Sequence, residues 1–114
     1  MTDLDDALLP VVPLAKPPGE DEMLRLIAYD ITDHKRWTRI ANACEDYGVR
    51  VQYSLFECWL DEREFQELWT RLQAAIDPAE DRLMAYTLDT ADARRRLAAG
   101  RTMLATERAT CYLV

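Results

Sequence analysis

LRLIAYDI, residues 24–31, is a short apolar run of strand length, closed off by the polar Thr32, Asp33 and His34. Reading outward, Asp33 is placed to cap a helix whose apolar positions Trp37, Ile40, Ala41, Cys44 and Tyr47 follow three-four spacing until Gly48 stops it. Val49–Gln52 and Leu55–Leu60 are rich in β-branched, aromatic and aliphatic residues and read as two strands, joined through Tyr53 and Ser54. Asp61 followed by Glu64 has the form of a capping box, and Phe65, Leu68, Trp69, Leu72 and Ile76 mark one face of a second helix before Pro78. Leu83–Leu88 reads as a fourth strand, residues 91–99 as a short helical turn closed by Gly100, and Ala109–Val114 as a terminal strand. The order predicts an α+β fold: a ferredoxin-like βαββαβ sandwich with an additional C-terminal strand.

A single sheet covered by helices on one face ordinarily has a polar second face. Here both faces of the first strand are apolar, with Leu24, Leu26 and Ala28 on one side and Ile27, Tyr29 and Ile31 on the other. Leu83 and Ala85 likewise oppose Met84, Tyr86 and Leu88. An apolar second face needs a cover, and the commonest is another copy of the chain about a two-fold axis. The expectation is a homodimer packed through its sheets, with the terminal strand free to pair with the partner's sheet edge.

At 114 residues and 49% hydrophobic content the chain supports one compact domain. Residues 1–22 contain Pro10, Pro13, Pro17 and Pro18 without sustained periodicity and read as a flexible extension, leaving residues 23–114 as the domain. No apolar run is long enough to cross a bilayer, and Asp3, Asp5 and Asp6 stand where a secretory signal carries positive charge, so the expected address is the cytoplasm, away from membranes. Cys44, Cys58 and Cys111 form neither a close pair nor a zinc set with the lone His34, and read as reduced packing residues. The net charge of −7 argues against a nucleic-acid partner until its distribution is considered: six acids against Lys16 in residues 1–22 account for most of it. Arginine, whose planar fork binds phosphate oxygens two at a time, supplies 12 of the 14 basic residues of the chain, though a compositional bias toward Arg and Ala explains this equally well.

Asp30 ends an otherwise apolar strand, where a carboxylate is costly without a partner. Two explanations stand: a hard cation such as Mg2+, or a capping or salt-bridged aspartate. Arg36 and Arg39 share a helix face, either for phosphates or in solvent beside Glu45 and Asp46. Arg94, Arg95 and Arg96 form the densest basic run, fit for sequence-independent phosphate contacts or for a solvated patch. With one histidine, no Ser-His-Asp or Cys-His arrangement competes, and His34 itself reads as exposed at the helix start.

Several pieces in this order carry a family resemblance: Tyr29-Asp30-Ile31, then Lys35-Arg36, then Tyr47-Gly48, then Arg50-Val51-Gln52-Tyr53-Ser54-Leu55-Phe56-Glu57-Cys58, with Cys111-Tyr112-Leu113-Val114 at the end. The chain resembles the CRISPR-associated protein 2 family, small metal-dependent nucleases that serve in spacer acquisition. Trp37 departs from the resemblance by interrupting the basic run that the family places early in this helix. The resemblance implies Asp30 as catalytic and Mg2+-binding residue, with both copies of a dimer brought toward one cleft. It implies nucleic-acid contacts at Arg36, Arg39 and Arg50, with Tyr29 and Phe56 as supporting motif residues. It also implies a DNA-binding scaffold for spacer precursors with dimers of the CRISPR-associated protein 1 integrase, and a nuclease on single-stranded RNA or duplex DNA. A toxin-like ribonuclease or a non-catalytic interaction module on the same fold remains the alternative.

Overall fold

A computed structural model describes residues 21–107 and 110–113. Strand β1 (Met23–Asp30) is followed by helix α1 (His34–Glu45), strands β2 (Val49–Gln52) and β3 (Leu55–Leu60), helix α2 (Glu62–Ala75), strand β4 (Arg82–Leu88), a single turn α3 (Thr90–Ala93) and strands β5 (Met103–Glu107) and β6 (Thr110–Leu113). The main sheet runs β2-β3-β1-β4 and is antiparallel throughout, which is the ferredoxin-like arrangement the element order predicts.

Local chemistry sets these boundaries. The Asp33 carboxylate accepts the Arg36 backbone N–H at the start of α1. Asp61 and Glu64 exchange both bonds of a capping box at the start of α2, satisfying two of the donors that a helix N-terminus leaves orphaned. Gly48 acts differently from expectation: its backbone is not left-handed, and a Cβ there would strike the Cys58 thiol and the Glu57 carbonyl. The glycine is required by close approach of the α1–β2 connection to β3. Gly100, with φ of 78°, is the left-handed glycine.

Both helices cover one face of the sheet. Ile40, Ala41 and Cys44 of α1 and Leu68 and Leu72 of α2 pack on Ile27, Tyr29, Phe56, Cys58 and Leu60, and Cys44 and Cys58 are free thiols inside this core. Each fully buried Leu or Ile contributes about 1.5–3 kcal/mol. Burial pushes the Cys44 thiol up to about 12 and the Cys58 thiol higher still, so both remain neutral, as packing residues should.

Two features depart from the sequence reading. The terminal segment contains a second strand, β5, which pairs with β6 in a small sheet of its own, so the strand anticipated over residues 109–114 finds its first partner within the chain. In addition, half of the second sheet face is covered by the chain itself: Ala93 and Ala105 pack on Leu24 and Trp59, flanked by Leu26, Val49 and Leu88. The expected extension lies outside the described residues over positions 1–20, as do residues 109 and 114. Among the described residues no helix is long and apolar enough to cross a membrane.

Candidate functional site

The uncovered half of the second face surrounds Asp30. Because side chains alternate along a strand, the burial of Ile27 and Tyr29 beneath the helices turns Leu26, Ala28 and Asp30 the other way. In register beside them, β4 places Tyr86 opposite Leu26, Met84 opposite Ala28 and Arg82 opposite Asp30. Met84 and Tyr86 are 50% and 60% exposed, and Asp30 is itself exposed. A concavity of about 300 Å3 is lined by Ala28, Tyr29, Asp30, Arg82 and Met84. Asp30 is thus neither a helix cap nor a core residue; it stands at the rim of an apolar patch with a cation across the strand pair. Among the described residues no three His, Cys, Asp or Glu side chains converge, and Asp30 alone of these types lines the concavity, so one chain offers no complete metal cage here.

The motif residues Tyr29, Arg50 and Phe56 meet on the helix side of the same sheet end. The Tyr29 and Phe56 rings stack at 6.3 Å between centroids, and the Arg50 guanidinium lies 5.5 Å from the Phe56 ring and 5.1 Å from that of Trp37. Arg50 also bonds the exposed Glu45 at 3.1 Å. Phe56 is fully buried and serves as core. The Tyr29 hydroxyl is buried without a hydrogen-bond partner among the described residues, and burial first, with the neighbouring Cys44 second, raises its pKa to about 12. It therefore stays protonated at physiological pH.

The other arginines divide sharply. Arg36 is held by Asp81 through Nε at 2.7 Å and Nη2 at 3.2 Å, by Glu80 at 3.2 Å and more loosely by Asp33, so its fork is occupied by the α2–β4 connection and the start of its own helix, and not by Glu45 or Asp46. Asp81 also accepts the Asp77 backbone N–H at 2.8 Å, and these bonds, led by Arg36, hold its carboxyl below the ordinary aspartate range. The Asp81 side chain is fully covered by these partners. This clamp fixes the α2–β4 connection to the start of α1. Arg39 is exposed on a groove between the helices, with Arg71, Ala43, Ala74 and Ala75.

The basic run near α3 is split. Arg94 and Arg95 are exposed, whereas Arg96 turns inward to the Glu57 carboxylate and the carbonyls of Ala93 and Ala105. Glu57 also accepts the Ala105 N–H at 3.1 Å, while the Trp59 indole donates to the Ala105 carbonyl at 3.3 Å. Together these bonds fasten β5 across the second face. Burial raises the Glu57 pKa, and Arg96 and the Ala105 N–H pull it back only in part.

Leu24 packs beside Ala93, and Asp30 lies at the other end of β1, about 20 Å along an extended strand. Asp30 and Arg94–Arg96 are therefore not one pocket. Sequence reasoning missed the Arg96–Glu57 pair and Arg25, which is buried over the Phe65 ring at 4.6 Å and donates to the Leu60 carbonyl. The signal was present: both Arg25 and Glu57 are charges inside apolar strands, the feature that singled out Asp30.

The profile of the family described as CRISPR associated protein Cas2 matches residues 23–96. The chain belongs to the Cas2 family. A Cas2 protein of Chloroflexus aurantiacus, named as a CRISPR-associated endoribonuclease, is 42% identical over 93 residues, covering 82% of this chain and 99% of that one. The endoribonuclease Cas2 of Nitratidesulfovibrio vulgaris is 45% identical over 75 residues, with 61% and 74% covered. Among solved structures, Streptococcus pyogenes Cas2 superposes with a TM-score of 0.63 at 36% identity, covering 68% of this chain and 100% of its own. A hypothetical protein from Thermus thermophilus reaches 0.66, also at 36% identity, over 74% and 98%. The ferredoxin-like unit is thus the Cas2 fold, and the Cas2 match takes in Asp30, Arg50 and Phe56 while stopping short of β5 and β6.

Proposed function

We propose that this Cas2-family chain works as a sheet-to-sheet homodimer that binds DNA as a scaffold beside the CRISPR-associated protein 1 integrase during spacer acquisition, and that it hydrolyses phosphodiesters of single-stranded RNA or duplex DNA in a cation-dependent manner. The observation that carries the reading is Asp30 on the rim of the exposed apolar patch of Ala28, Met84 and Tyr86. Burying that patch against a second copy draws two Asp30 carboxylates toward each other, and like charges at close range resist ionisation unless a cation intervenes. Mg2+ accepts one or two carboxylates plus water and phosphate oxygens, which suits one Asp30 from each protomer. When bound it would polarise a phosphoryl oxygen and acidify a water ligand. Arg82, across from Asp30 in each chain, adds positive charge for the phosphate. Arg50, Arg94 and Arg95 offer further contacts, and a backbone touching both Asp30 and the α3 end spans about 20 Å, roughly six base pairs. Homologues named endoribonuclease or endonuclease support the reaction class.

The test pairs sedimentation with cleavage assays on single-stranded RNA and duplex DNA. The expected result is a dimer whose Mg2+-dependent cleavage is abolished in Asp30→Asn, while that variant stays dimeric and still co-purifies with the integrase. A monomer at micromolar concentration, or cleavage that survives both Asp30→Asn and excess chelator, overturns it.

A further inference from the structure

The β2–β3 turn carries an aromatic assembly that starts at the core, where Trp37 packs beside Tyr29, and ends in solvent at Tyr53, a ring the proposed chemistry does not use. Tyr53 occupies this two-residue connection and is 71% exposed. Its ring lies on Trp37 with centroids 4.7 Å apart and planes 25° from parallel. Trp37 is itself held: its indole N–H reaches the Ser54 hydroxyl at 3.4 Å, its edge meets Tyr29 at 6.2 Å, and His34 lies nearly parallel to it, 8° away at 6.5 Å. The Arg50 guanidinium over Trp37 sets a positive charge beside the stack.

We infer that the outward face of Tyr53, backed by Trp37, is a stacking seat for an unpaired nucleobase. The inference rests on the nucleic-acid reading above and adds to it a binding position and a preference for single-stranded segments. A ring already stacked on one side and open on the other presents a flat, fixed π-face, so little freedom is lost when a base settles on it. Every base has such a face, but inside a duplex it is covered by the neighbouring pairs, so apart from its two ends a duplex presents base edges and phosphates. Arg50 attracts the adjoining phosphate without demanding a sequence. The Tyr53 backbone is anchored through its neighbour, because the Tyr29 N–H donates to the Ser54 carbonyl at 3.1 Å, so the seat sits directly beside the end of β1 that carries Asp30.

The whole chain is titrated with a short oligothymidylate and with a blunt duplex, reading intrinsic tryptophan fluorescence together with the anisotropy of labelled nucleic acid. Trp59 is fully buried and Trp69 lies on α2, so both supply background while Trp37 reports the seat. Single strands should quench the emission, and the quench should vanish in Trp37→Phe. Tyr53→Ala should weaken single-strand binding about 5- to 150-fold, Tyr53→Phe should restore it because the face and not the hydroxyl is used, and duplex affinity should not change. Tyr53→Ala removes an exposed side chain and its stack on Trp37, so the variant should keep a cooperative melt with a midpoint modestly below the parent's. Equal single-strand affinity in Tyr53→Ala, or a quench that persists in Trp37→Phe, overturns the seat alone. Wild-type protein that binds neither nucleic acid overturns the seat and the nucleic-acid reading together.

Discussion

Replacing Arg96 by Leu should destabilise this chain more than any exposed arginine substitution. Arg96 and Glu57 are a buried pair, with side chains 9% and 5% exposed. Removing one member of such a pair leaves an uncompensated buried charge and costs about 3–5 kcal/mol. Small domains have about 5–15 kcal/mol in total, and for a domain of this size each kcal/mol moves Tm by about 4–8 °C. The loss is therefore readily measured by chemical denaturation at a fixed protein concentration, which holds any contribution of the proposed dimer constant. Its pH dependence gives a second reading. Burial already raises the Glu57 pKa, and Arg96 is the leading influence that lowers it again. Without Arg96 the folded value rises further above the unfolded one. A group shifted that way favours the native state below its unfolded pKa, and the benefit is lost as pH rises through the folded pKa. The Arg96→Leu deficit should thus be full at alkaline pH and shrink on acidification toward the ordinary glutamate range. Glu57→Gln in the same chain should recover the part due to the stranded charge, and exchange of the Ala105 amide proton, bonded to Glu57, should quicken in the single variant. A deficit within error at neutral pH, or one that does not shrink on acidification, refutes the reasoning.

Gly48→Ala should cost about 1–3 kcal/mol or more, because the added methyl meets the Glu57 carbonyl and the Cys58 thiol and backbone cannot yield as a flexible side chain can; urea denaturation at neutral pH reads it. Asp81→Asn should lower stability at neutral pH and converge with the parent in acid, since a depressed carboxyl pKa gives stability above the unfolded value that is lost as pH falls through the folded one; melting curves across pH 2–6 check it.

Much of this protein follows from local sequence alone. Asp33 and the Asp61–Glu64 box fix where helices begin, because capping is satisfied within a few residues, and the alternation of β1 and β4 tells which side chains share a face. The order of elements then leaves few ways to close one sheet, and Asp30 stands out as a charge in an apolar strand. Other features exist only once distant segments meet. Arg36 has Asp81 45 positions away, and Arg96 has Glu57 39 positions away, so no local window separates these occupied forks from the exposed Arg94 and Arg95. Strand β5 is a short segment whose place depends on Trp59 and Glu57 fastening Ala105. The same holds for Tyr53 on Trp37, a stack between a turn and a helix that neither predicts by itself. Propensity and capping act over one turn of chain, whereas burial and ion pairing act through space, and it is the second kind of force that decides which charges and rings remain free to bind.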